Sequence, residues 1–216
     1  MRDKPPWKRL ALTLENYRKT RDGEKTQARR LGGLKEINKA PDRHSLKADI
    51  THTNGHRAVV FLGPSGLSLE VKPKYQPGEI IGLTCPHWRC AAHGVTPLCI
   101  WDEVTRAVRF EDGKRPIRDV AGVENPPWKH RAARLMPAWA CMDFARITDV
   151  RAQRLQDITE LDAVAEGCPA ISCDDDMSEV LQWFVDLWDS IYAERGDGWD
   201  ADRWVWAYTF ENVEEP

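Results

Sequence analysis

The sequence predicts an α+β domain on a mostly antiparallel sheet or small barrel. Three observations carry that reading: short β-like runs divided by turn signals over 58–84, an amphipathic helix over 177–191, and a closing run over 203–213 that alternates by twos. The 216 residues suit one decorated domain, read as spanning 1–216 with irregular insertions at about 31–57 and 113–135. Apolar residues make up 42% and charged residues 30%, enough to bury a core and to exclude wholesale disorder.

In chain order, Leu10, Leu12 and Leu14 alternate with other residues and predict a first strand over 9–14. One or two helical turns follow over 15–22, ended by Gly23. Residues 31–57 mix Gly, Pro, Asn, His and charges with little periodicity, as a surface insertion does. The runs Ala58–Leu62, Leu67–Val71 and Glu79–Thr84 then read as a meander, with turns at Gly63-Pro64-Ser65-Gly66 and Gln76-Pro77-Gly78. A hairpin is expected over 100–112, a Pro-rich basic connection over 113–138, and a long strand from about Trp139 to Val150.

Thr159 and Asp162 mark a capped short helix that ends at Gly167. Met177, Val180, Leu181, Phe184, Leu187, Trp188 and Ile191 recur at steps of three and four, so the next helix must lie on a core. It follows Asp174-Asp175-Asp176 and closes before Gly196. In the final strand Trp204, Trp206, Tyr208 and Phe210 share one face, and Val205, Ala207 and Thr209 the other.

The net charge of −3 conceals two opposed ends: residues 1–35 carry eleven Lys/Arg against four Asp/Glu, and residues 186–216 carry two against nine. If the ends lie apart, the basic one attracts phosphate; if they pack together, they neutralise. No apolar stretch approaches the roughly 18 residues that cross a bilayer. Met1–Arg9 is charged with no apolar run behind it, so the expected location is the cytoplasm and no membrane partner is expected. Six cysteines without a secretory signal read as reduced thiols. No Gly-rich phosphate loop, Ser-His-Asp ordering or H-E-x-x-H helix supports an NTPase, serine hydrolase or metalloprotease.

The stretch that carries chemistry is Gly23-Glu24-Lys25-Thr26-Gln27-Ala28-Arg29-Arg30. A glycine lets a ligand approach the backbone while Lys25, Arg29 and Arg30 supply charge and forked donors. In a regular strand Lys25, Gln27 and Arg29 share one face and Thr26, Ala28 and Arg30 the other, so a bend is needed for Lys25 and Arg30 to line one cleft. Without a further signal the stretch also reads as a solvated basic edge.

This stretch fits the G-x-K-x-x-x-x-R signature of the ASCH superfamily and resembles the Gly-x-Lys-Thr-Gln-x-Arg-Arg version of phage and prophage ASCH-like proteins. Tyr75-Gln76-Pro77-Gly78-Glu79, Met136-Pro137-Ala138-Trp139-Ala140, Thr148-Asp149-Val150, Arg154 to Glu160, Ala165-Glu166-Gly167, Leu187-Trp188-Asp189-Ser190 and Trp204-Val205-Trp206 resemble the same family in order. The cover is roughly 9–30 and 73–213. The resemblance implies a PUA-like small β-barrel with flanking helices and a surface insertion. It also implies a nucleic-acid (RNA in preference) or modified-nucleoside binding module, in the host cytoplasm if the chain is phage-encoded.

In the ASCH amidohydrolases acting on N-acetylated cytidine, a lysine and a threonine of the signature act with a later glutamate. Lys25 and Glu166 occupy the lysine and glutamate positions, whereas the threonine position is Ala28. Lys25 and Glu166 are therefore the catalytic candidates if the chain is an enzyme, and burial or pairing would have to tune them to deprotonate water. Gly23, Lys25, Arg29, Arg30, Trp88 and Glu166 are the ligand-contacting candidates. Trp88 stands where the family carries an aromatic near its cleft, suited to stacking on a base. This reading requires Lys25 and Glu166 to converge on a common open hollow.

A third cluster is Cys85-Pro86-His87-Trp88-Arg89-Cys90-Ala91-Ala92-His93, followed by Cys99. Cys90 and His93 have ligand-like spacing, and Cys85 and Cys99 complete a four-coordinate set for zinc. The spacing is not a paired CxxC pattern, and a loop of buried small thiols reads equally from the same residues. No other cofactor is expected. The partners expected are RNA or a nucleoside or nucleotide, with a protein docked by the acidic, aromatic C-terminal segment as a further alternative.

Overall fold

A computed structural model describes residues 7–90, 108–109, 128–169 and 177–214. Its elements in chain order are β1 (Lys8–Ala11), α1 (Leu14–Arg21), β2 (Gln27–Arg30), β3 (Ser45–Thr51), β4 (Arg57–Leu62), β5 (Ser68–Val71) and β6 (Ile80–Thr84). Then come β7 (His87–Cys90), β8 (Val108–Arg109), β9 (Trp128–Arg131), β10 (Phe144–Arg154), α2 (Glu160–Ala165), α3 (Met177–Tyr192) and β11 (Trp204–Val213). The fold is mixed α+β, with mainly antiparallel pairing and few helices. Among the described residues every strand order is linear with two terminal strands, so the expected closed barrel is replaced by open sheets. No described helix is long and apolar enough to cross a membrane.

The chain divides into two compact units. The smaller comprises Met1–Arg18, Ile81–Ala145 and Val213–Pro216. Here β1 and β6 pair in parallel with Leu10 opposite Leu83, and β7 lies between β8 and β9 in an antiparallel sheet. Gly82 is required by close packing: a Cβ there would stand 2.6 Å from Cys141 Sγ and 2.8 Å from Trp7 Nε1. The first strand stops at Ala11 instead of Leu14 because Thr13 caps α1, its Oγ1 accepting from Asn16 N at 3.2 Å.

The larger unit comprises Lys19–Ile80 and Arg146–Asn212. β11 stands between β10 and β2 and runs antiparallel to β2, with Trp206 opposite Arg30 and Tyr208 opposite Ala28. It is buried on both faces. Trp204 meets Phe61 edge-on at 4.9 Å and Tyr208 meets Tyr75 at 5.1 Å. Val205, on the other face, joins Ala163 of α2 and Val180, Phe184 and Trp188 of α3 in one apolar cluster. The amphipathic spacing of α3 thus finds its core, although Ile191, at the end of its pattern, stays exposed.

Several expectations are corrected. The meander is β3-β4-β5, and the run ending at Thr84 instead pairs with β1. β3 lies inside the segment read as an irregular insertion; Leu46, Ala48 and Ile50 alternate along it, and the turn at Asn54 and Gly55 (φ 80°) returns the chain to β4. β9 falls inside the connection read as irregular, held by antiparallel pairing to β7. The strand expected from Trp139 begins at Phe144, because Ala138–Ala140 forms a 3-10 turn after Pro137. The hairpin over 100–112 and the acidic run 174–176 fall outside the described residues, apart from Val108 and Arg109.

Candidate functional site: a buried charge network

Two backbone devices bring residues about 140 positions apart together. Gly23 adopts φ 82° and donates to Thr20 O at 3.1 Å, while Glu24 N and Lys25 N both donate to Lys19 O, at 2.8 and 3.1 Å. This ends α1 and starts the chain toward β2. Thr159 opens α2 as a capping box with Asp162, and Gly167 (φ 94°) closes it. Thr26 N then donates to Ala165 O at 2.8 Å, pinning the approach to β2 against the end of α2. A Cβ on Gly167 would lie 3.1 Å from Lys19 Cδ and 3.2 Å from Lys25 Cβ, so this glycine also makes room for the lysine.

Within this frame Lys25 Nζ donates to the backbone oxygen of Glu166 at 2.6 Å and to its carboxylate Oε2. Arg29 NH1 donates to Glu166 Oε1 at 3.0 Å. Arg29 NH2 stands 3.0 Å from Asp162 Oδ2, within ion-pair distance but off the hydrogen-bond angle. Arg29 Nε meets no acceptor among the described residues. The guanidinium lies over the Phe184 ring at 5.6 Å, tying the network to the apolar cluster. Lys25, Arg29 and Glu166 are 2%, 1% and 4% exposed. They meet in direct, closed contact, where the sequence reading had Lys25 and Glu166 facing across an open hollow.

Electrostatics follow from this burial. Desolvation pulls the Lys25 ammonium below its ordinary value; Glu166 opposes the shift, and Arg29 and Arg30 add to it. Burial pushes the Glu166 carboxyl up, but Lys25 and Arg29 outweigh it and hold the group below the usual carboxylate range. Asp162 follows the same pattern, with burial opposed and outweighed by Arg29 and Arg151. The site therefore presents a firmly ionised carboxylate beside an ammonium that loses its proton more readily than a free lysine.

The sequence candidates divide between these surroundings. Gly23, Lys25, Arg29 and Glu166 assemble as described. Arg30 projects from the opposite face of β2 to Arg29, by its pairing with Trp206, and its NH1 donates back to Arg29 O at 2.8 Å. Ala28 shares that face and is fully buried opposite Tyr208, so the position expected to hold a threonine points away from Glu166. Trp88 belongs to β7 of the smaller unit, where it stacks edge-on against His130 at 5.3 Å. Of the zinc candidates, Cys85 is a buried thiol and Cys90 ends β7, while His93 and Cys99 lie outside the described residues. Among the described residues no three His, Cys, Asp or Glu are grouped to hold a metal ion.

Sequence reasoning missed Asp162 as a member of the site and missed Arg151 altogether. A signal existed: Asp162 and Glu166 are four apart on a helix and share one face, matching the shared face of Lys25, Gln27 and Arg29. No protein-family model, no curated protein and no solved structure matches the chain.

Proposed function

We propose that the chain is a binding module of the ASCH, PUA-like type that takes RNA or a modified nucleoside at Lys25, Arg29 and Glu166. One observation carries this reading: an ammonium, a guanidinium and a carboxylate are gathered in a buried cluster whose Arg29 Nε still lacks an acceptor among the described residues. Buried charges cost desolvation energy that apolar packing avoids, and such clusters concentrate where a protein binds or reacts. A base edge matches the set. An exocyclic amino group donates to Glu166, and a ring carbonyl accepts from Lys25 or Arg29. The cluster stands closed in place of the expected open hollow, so on this reading ligand entry parts the Lys25–Glu166 contact and the base takes over one arm of it.

The amidohydrolase reading uses Lys25 and Glu166 and is favoured by one observation, the direct contact of the Lys25 ammonium with the Glu166 carboxylate in a buried site, where desolvation favours loss of the lysine proton. It then requires water as the nucleophile, since residue 28 is alanine and faces away. One experiment separates the readings. N-acetylcytidine is titrated into the protein while tryptophan fluorescence and cytidine release are followed together. Saturable quenching without cytidine release supports the binder. Release abolished in Lys25→Met supports the enzyme. Neither quenching nor release, with N-acetylcytidine or with a short RNA carrying it, removes both.

A further inference from the structure

The charge network continues beyond Glu166. Arg151 of β10 donates from NH2 to Asp162 Oδ1 at 2.7 Å and from Nε to Gln153 Oε1 at 2.8 Å. Asp162 therefore has one oxygen on Arg151 and the other beside Arg29. A guanidinium is a rigid planar fork, so fixing its NH2 also fixes where its NH1 points. Asp162 and Glu166, one helical turn apart, draw that fork from two sides, the first by charge at 3.0 Å and the second by a hydrogen bond at 3.0 Å. Were Asp162 neutral, Arg29 would be free to turn and take both Glu166 oxygens as a bidentate pair, the geometry guanidinium and carboxylate prefer. That arrangement would displace Lys25 from Oε2.

We infer that Asp162, held from its far side by Arg151, is a positioning residue that keeps Arg29 on one oxygen of Glu166 and reserves the other for Lys25. On the reading proposed above, the reserved oxygen is the one offered to the ligand. The capping role of Asp162 uses the same side chain, with Thr159 N donating at 3.4 Å to the Oδ2 that stands beside Arg29; its backbone N–H donates to Thr159 Oγ1 at 3.1 Å, and an asparagine side chain retains an oxygen for the reciprocal bond.

The test observes Lys25 directly and needs no ligand. Protein labelled with 13C at lysine Cε is titrated with alkali, and the Lys25 resonance, assigned through its loss in Lys25→Met, is followed by NMR. The charged groups acting on Lys25 are Glu166 at the C-cap of α2, Arg29 of β2, Arg30 from the opposite face of β2, and Lys19 of α1, whose chain shares the space beside Gly167. In Asp162→Asn the midpoint should move to lower pH, since Lys25 loses its carboxylate oxygen and the Arg29 charge is less compensated. Thr159→Ala, which weakens only the cap, should leave the midpoint in place. If Asp162→Asn does not fold, Arg151→Met should move the midpoint the same way and Arg151→Lys should restore it in part.

A midpoint unchanged in Asp162→Asn, or in Arg151→Met where that variant stands in, overturns the inference and leaves Asp162 a capping residue. N-acetylcytidine quenching is read on the same samples. A loss of affinity on the order of tenfold in Asp162→Asn accompanies the midpoint shift if both proposals hold. A midpoint shift in a protein that never binds the nucleoside supports the positioning role and refutes the ligand. Binding in a protein whose midpoint does not move does the reverse.

Discussion

Two arginines in the larger unit do the same job in different surroundings. Arg29 bridges Glu166 and Asp162 at 1% exposure, while Arg57 bridges Asp49 and Asp149, both at 2.6 Å, at 29% exposure. Near water the charges of the second bridge are screened, and the energy gained is small against the cost of ordering two long side chains. Away from water the first cannot be relaxed by solvent, so each member depends on the others. Equivalent geometry thus has unequal consequences, and burial decides which bridge is a scaffold detail and which is a site.

The comparison breaks most visibly at Glu166. Glu166→Gln leaves two buried cations facing a neutral amide and should destabilise the larger unit by about 3–5 kcal/mol, read by urea denaturation. The same substitution carries a pH signature. Glu166 and Asp162 are held below their ordinary values of 4.5 and 3.8, so their stabilisation is full above those values and is lost as pH falls through the lower folded values. Stability of the native chain should fall with that acid slope, and Glu166→Gln should flatten it. A parallel slope in both proteins would mean the network does not govern acid stability.

Gly167→Ala ranks next, because φ 94° is a backbone conformation suited to glycine and the added methyl crowds Lys25. About 1–3 kcal/mol should be lost, again by denaturant midpoint, with nucleoside quenching weakened at concentrations where the variant is folded. Thr159→Ala removes the helix cap and should cost about 1 kcal/mol without changing the Lys25 titration. Arg57→Ala should cost less than about 1 kcal/mol, and its effect should shrink further as salt rises. A loss at Arg57 equal to that at Glu166 would erase the distinction between the two bridges.

How much of this was legible beforehand depends on the range of the interaction that fixed each element. Thr159 with Asp162, and the three- and four-residue steps of α3, are local signals, and both helices stand where they put them. The alternation of Trp204, Trp206, Tyr208 and Phe210 located β11, but its second buried face depends on helices the strand pattern does not encode. β3 was missed despite the Asn54-Gly55 turn, because its strand is largely exposed and its apolar alternation is thin. The parallel pairing of β6 with β1 spans some seventy residues and leaves no local trace.

The site divides in the same way. Lys25 and Glu166 were picked out as a pair, and the shared parity of Lys25 and Arg29 followed from strand geometry. The role of Asp162 was hidden behind its cap, since one side chain serves the helix start and the Arg29 fork at once. Arg151 reaches the site only through Asp162, a dependence that appears once β10 and α2 are side by side.

Calorimetric titration of N-acetylcytidine into the native protein and into Lys25→Met tests the central claim most directly. The account predicts one saturable site in the native protein and none in the variant, whose circular dichroism should match the native spectrum. Equal heats of binding in the two proteins, or none in either, would contradict it.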